Sequence, residues 1–128
     1  LSANLVFEQS YQGIDGDSAS MASLLCLLSA FAQRPLEQGI AVTGAIDQFG
    51  NVLAVGGVNE KIEGFYDVCH GRGLSGEQGV IIPATNIPHL ALRPDIVTAA
   101  KESKFQVFAV NDVDEAISLL LAAEHQWQ

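Results

Sequence analysis

A serine and a lysine define the chemistry this sequence could perform. Ser18 stands in the turn Asp15-Gly16-Asp17-Ser18-Ala19-Ser20, directly before the apolar run from Met21 to Ala32. A helix beginning there would offer unpaired backbone N–H groups and the positive end of its peptide dipole, the setting in which an oxyanion is held. A serine hydroxyl is a weak nucleophile and needs a neighbouring base to take its proton. Ser18 is therefore a candidate nucleophile, and the next question is which residue serves as its base.

Histidine is the usual partner. His70 follows Cys69 in a helical pattern, His89 sits beside Pro88 in an expected loop, and His125 lies near the C-terminal end. None carries the local signature of a triad. Lysine is the other option, since Ser-Lys pairs are known variants of nucleophile and base. A lysine has an ordinary pKa of about 10.4 and must be neutral to act. Burial and the positive end of a helix favour the neutral amine, and Lys61 falls in the first turn of a helix that follows Gly56-Gly57. Glu60, Glu63 and the acids Asp15 and Asp17 act in the opposite direction. Each residue also has a plain structural reading: Ser18 as a helix cap, Lys61 as a solvated surface charge, Gly56-Gly57 as a turn.

The elements that must position these groups follow from the spacing of apolar residues. Residues 3–9 read as a strand entering the loop Gln12 to Gly16, and residues 17–33 as a helix apolar on nearly every face, which belongs inside the fold. Residues 40–46 and 52–55 read as a hairpin around the turn 47–51. In the segment 56–69, Ile62, Phe65, Tyr66 and Cys69 recur at helical spacing. Val80 to Pro83 is a short run suited to a fully buried strand, and residues 86–90 suit a turn of helix. A helix over 94–103 with proline at its first position, a strand over 105–110 and an acid-led helix over 112–124 complete the order. The order β-α-β-β-α-β-α-β-α predicts an α/β fold, a mixed sheet with packed helices. With 128 residues it forms one domain, 1–128.

Composition narrows the partners. Six basic against fifteen acidic residues give a formal charge of −9, and residues 1–33 contain no lysine or arginine. No basic stripe is available for phosphates, so nucleic acid is not an expected partner. No run reaches the roughly 20 apolar residues of a membrane span. Cys26 and Cys69 lack metal-ligand spacing and read as buried free thiols, which suits a reducing, cytoplasmic setting. The chain opens on Leu1-Ser2-Ala3 without an initiator methionine or signal peptide and is expected to be a fragment.

Three ordered motifs resemble the Lon family of ATP-dependent proteases: Gly16-Asp17-Ser18-Ala19-Ser20, Val42-Thr43-Gly44 and Gly56-Gly57-Val58-Asn59-Glu60-Lys61. The likeness continues through Gly79-Val80-Ile81-Ile82-Pro83-Ala84 into the final helix. It is nearest a Lon-related branch with Phe-Glu-Gln-Ser before the loop and Asp-Gly-Asp-Ser-Ala-Ser around the serine. The resemblance implies a Lon proteolytic-domain-like fold lacking its N-terminal part. It implies Ser18 as nucleophile and Lys61 as general base, with Thr43 orienting the Lys61 amine. Asp15 matches an acid that can occupy the site and switch it between closed and open forms, and the Ser18 helix start would supply the oxyanion hole.

The chain departs from the commoner Lon pattern Gly-Pro-Ser-Ala-Gly, with Asp17 at the proline and Ser20 at the last glycine. Asn59 stands where lysine is common, and Gln9-Ser10-Tyr11-Gln12 differs from the usual approach loop. By resemblance, the partners are unfolded polypeptides, further copies of the chain in a six-membered ring, and an upstream or separate ATPase that feeds them. No Gly-x-x-x-x-Gly-Lys-Ser/Thr motif occurs, so ATP and magnesium are expected only for that ATPase and no cofactor for this chain. Two alternatives stay open: a catalytically silent assembly domain whose acids keep Lys61 charged, and a Ser-His hydrolase using His89.

Overall fold

The computed structural model describes residues 19–21 and 39–125, with 19–20 and 121–125 as backbone. The expected strand 3–9, the loop 12–16, Asp15, Asp17, Ser18, Cys26 and most of the helix 17–33 lie outside the described residues. In chain order the elements are β1 (Ala19–Ser20), β2 (Ile40–Val42), β3 (Ala45–Ile46), β4 (Val52–Leu53) and α1 (Val58–Arg72). There follow β5 (Gly79–Pro83), a 3₁₀ turn (Ala84–His89), α2 (Pro94–Lys101), β6 (Gln106–Val110) and α3 (Val113–His125).

The arrangement is built on β5. Its residues Val80, Ile81 and Ile82 are β-branched and carry no turn signal, so they favour an extended strand that can be covered on both faces. All five residues of β5 are buried. The strand is central in a parallel sheet of order β2-β5-β6, in which Ile40 is level with Gly79 and Gly79 with Gln106. Because side chains alternate along a strand, β5 divides the core in two. Val80 and Ile82 join Val58, Ile62, Tyr66 and Cys69 of α1 and Ile96 and Ala99 of α2. Ile81 points the other way, into a cluster with Met21, Ile46, Val52, Val110 and α3 residues Val113, Ala116 and Leu120. Each fully buried aliphatic side chain of this kind contributes about 1.5–3 kcal/mol.

The remaining strands form a second, antiparallel sheet of order β1-β3-β4. Among the described residues, the parallel and antiparallel strands of the expected mixed α/β fold lie in two sheets, one parallel and one antiparallel. They are connected through Thr43-Gly44, where the segment expected as a single strand over 40–46 breaks and changes sheet. Gly44 has φ 152°, and a Cβ there would lie 3.0 Å from Met21 Cε and 3.3 Å from Pro83 Cγ. Only glycine meets both conditions without displacing its neighbours.

A second correction concerns the stretch after Ser18. The helix expected from residue 17 is not yet formed at Ala19 and Ser20, which are extended and pair with Ile46 and Ala45. Helical conformation appears at Met21. Pairing with β3 satisfies backbone groups of both strands, which outweighs the helical periodicity of the following run.

Elsewhere the expected elements appear with small shifts. The hairpin turn is held by Asp47, whose Oδ1 accepts the amides of Phe49 and Asn51 at 2.9 and 3.0 Å. α1 extends three residues beyond its expected end at Cys69, with His70 stacked on Tyr66 at 5.7 Å between ring centroids. Tyr66 in turn meets Phe105 edge-on at 5.2 Å. Cys69 is a buried free thiol, as expected, and burial pushes its pKa up. Among the described residues no helix is long and apolar enough to cross a membrane.

Candidate functional site

Lys61 sits at the fourth position of α1, and its amide donates to the Gly57 carbonyl at 3.1 Å, closing the first helical turn. Gly57 precedes the helix with φ 71°, and no side chain caps it. Val58 and Ile62 on either side are buried, which fixes the rotation of the helix and directs the Lys61 side chain outward. Lys61 is exposed and forms no ion pair with a carboxylate of the described residues, its neighbours Glu60 and Glu63 included.

The turn that carries Lys61 is secured on both sides by asparagine amides. Before the turn, the Val55 amide donates to Asn86 Oδ1 at 2.9 Å and Asn86 Nδ2 donates to the Val55 carbonyl at 3.0 Å. After it, Asn59 Nδ2 donates to the His89 carbonyl at 2.9 Å and the Ala91 amide donates to Asn59 Oδ1 at 2.8 Å. Each asparagine satisfies one donor and one acceptor of the main chain, as a neighbouring strand would. Asn86 is only 2 % exposed and is the buried polar side chain among the described residues. A buried amide left unpaired costs about 1–3 kcal/mol, so this site tolerates only a side chain that can both donate and accept.

Thr43 is half-buried at the point where the chain leaves the parallel sheet, and its amide donates to the Ile81 carbonyl at 3.0 Å. The next residue reaches the serine segment, because the Met21 amide donates to the Gly44 carbonyl at 3.0 Å. The chain immediately following Ser18 is therefore joined to the chain immediately following Thr43. The Met21 amide is thereby engaged in this pairing, while the amides at Ser18 itself lie outside the described residues.

Among the histidines with described surroundings, His70 stacks on Tyr66 and His89 is exposed at the end of the 3₁₀ turn, where its carbonyl holds Asn59. Neither Asn86 nor the structural part played by Asn59 carries a local signal in the sequence, because their partners lie 30 to 32 residues away. A family model for the Lon protease (S16) C-terminal proteolytic domain matches residues 11–123.

The chain belongs to the Lon family. The "Putative Lon protease homolog" of Escherichia coli (strain K12) is 57% identical over 120 residues, covering 94% of this chain and 20% of that protein. The "Putative Lon protease homolog" of Haemophilus influenzae is 55% identical over 123 residues, with 96% and 20% covered. The "Archaeal Lon protease" of Methanocaldococcus jannaschii is 37% identical over 120 residues, with 94% and 16% covered. The chain thus spans about a fifth or less of the length of these Lon relatives. As a Lon proteolytic domain it is of protease lineage.

Proposed function

We propose that residues 1–128 are the C-terminal portion of a Lon-type proteolytic domain that hydrolyses peptide bonds of unfolded or damaged proteins with a Ser18-Lys61 dyad. The observation that carries this reading is the family match across residues 11–123, which includes both residues. It is supported by Lys61, free of ion pairs among the described residues, at the head of a helix in a turn secured from both sides.

In this scheme the neutral Lys61 amine takes the Ser18 hydroxyl proton as Oγ attacks the scissile carbonyl carbon. The resulting lysine ammonium returns the proton to the leaving amine as the C–N bond breaks. Water, deprotonated by the same amine, then releases the acyl group and restores the serine. Oxyanion donors come from amides next to Ser18, since that of Met21 is engaged. Thr43 orients the Lys61 amine, and Asp15 and Asp17 gate access to it. The domain works in the cytoplasm as part of a homo-oligomeric ring, supplied with unfolded chains by an ATPase on the same or a separate polypeptide.

The test is peptide hydrolysis by the full-length protein carrying Ser18→Ala or Lys61→Ala. Each is expected to lose at least about a thousandfold in kcat while folding and assembly are retained. Undiminished cleavage by Ser18→Ala overturns the dyad. A wild-type protein that assembles but cleaves no peptide replaces the reading with a silent assembly domain.

A further inference from the structure

We infer that Asn59 and Asn86 are positioning residues for the Lys61 amine, an inference that rests on the proposed dyad. The argument is geometric. Lys61 lies at the fourth position of α1, and the backbone that precedes it turns through Gly56-Gly57, both exposed and without a side chain to anchor them. Buried Val58 and Ile62 fix the rotation of the helix, but the turn before it has no side chain to hold its path. Its two flanks are fixed instead, Val55 by Asn86 and the first helical turn by Asn59, each through two hydrogen bonds of 2.8–3.0 Å.

Both pairs of bonds involve one short segment, residues 84–91, which supplies Asn86 to Val55 and the His89 and Ala91 backbone to Asn59 and leaves the buried strand β5 directly at Pro83. The base is thereby referred to the fully buried strand β5. Asn59 and Lys61 are two residues apart, about 200° around a helix, so the contact with His89 and Ala91 grips one face while the lysine projects from the other. A proton transfer requires heavy atoms within about 2.6–3.2 Å, and a displacement of 1 Å can cost on the order of a hundredfold in rate. Loss of the Asn59 pair frees the helix start to tilt by that order. Substrate contacts elsewhere are untouched, so the loss falls on the chemical step.

The test is steady-state hydrolysis of a peptide by the full-length protein as wild type, Ser18→Ala, Asn59→Ala, Asn59→Gln and Asn86→Ala, with thermal melting of each. Asn59→Ala is expected to lower kcat about tenfold or more with KM within twofold and a melting temperature within a few degrees of wild type. Asn59→Gln, which keeps donor and acceptor, is expected to recover part of that loss. Asn86→Ala is expected to show the same split with a larger fall in melting temperature, and if it does not fold the Asn59 pair alone decides. Wild-type kcat in Asn59→Ala, or a fall matched by a rise in KM without recovery by Asn59→Gln, overturns the inference while leaving the dyad intact. Full cleavage by Ser18→Ala instead removes the dyad and the inference with it.

Discussion

The Met21 amide donates to the Gly44 carbonyl at 3.0 Å. This bond extends the pairing of Ala19–Ser20 with Ala45–Ile46 by one step and joins the two stretches that carry Ser18 and Thr43. The segment after the candidate nucleophile thus depends on the geometry of the sheet switch.

Replacing Gly44 by alanine tests that dependence. The new Cβ would stand 3.0 Å from Met21 Cε and 3.3 Å from both Pro83 Cγ and Val52 Cγ1, on a backbone with φ 152°. The expected cost is about 1–3 kcal/mol, read as a lower urea midpoint at an unchanged slope. Since Met21 is the neighbour that must yield, the folded variant is also expected to lose peptide hydrolysis in the full-length protein.

Gly79 offers a purely steric counterpart. A Cβ at this position would lie 2.5 Å from the Gln106 backbone oxygen and 3.1 Å from its carbonyl carbon. Both belong to the register pair that joins β5 to β6, so neither side can give way cheaply. Gly79→Ala is expected to destabilise by about 1–3 kcal/mol or more. Gly64→Ala in α1, where a Cβ meets nothing within 4 Å, is expected to stabilise by about 0.5–1 kcal/mol. Paired thermal melts of the two variants check both signs.

Acid sensitivity should trace to Arg93. Its guanidinium bonds Asp67 at 2.6 Å and Asp95 at 3.1 Å, joining α1 to the start of α2, and lies 5.8 Å from the Tyr66 ring centroid. Hydrogen bonds from Arg93 hold both carboxyls below the ordinary aspartate range. A carboxylate lowered in the folded state stabilises fully above its unfolded pKa and loses that contribution as pH falls through the folded value. The stability gap between wild type and Arg93→Gln is therefore expected to be constant from about pH 7 to 5 and to narrow below about pH 4. Urea midpoints across that range measure it, and a gap that widens in acid contradicts the assignment.

The parts of the fold visible in the sequence are those where one local signal decides. The run Val80-Ile81-Ile82 suits a buried strand, Pro94 marks the start of a helix, and the 3.6-residue spacing of Ile62, Tyr66 and Cys69 gives α1 its inward face. What escaped depends on groups distant in the chain. Nothing local distinguishes Ala19–Ser20 as a strand, because its partner lies at Ala45–Ile46. The apolar run 40–46 looks continuous until Gly44 is seen against Met21, Pro83 and Val52. For the candidate site, the motifs gave Lys61 its helix but not its supports. Asn59 and Asn86 act on backbone 30 to 32 residues away, and an asparagine in a turn carries no mark of a distant partner.

The reach of those two asparagines bears on how the domain comes into being. A growing polypeptide emerges from its N-terminus, so Ser18, Thr43 and Lys61 are all synthesised well before Asn86 and Ala91. Until residue 86 is available the turn before α1 has neither of its outside holds, and the Asn59 pair is complete only at residue 91. A nascent chain thus carries Ser18 and Lys61 for some time without the contacts that hold the first turn of α1. Under the proposed dyad, peptide hydrolysis would be deferred until the supporting strand and turn are complete.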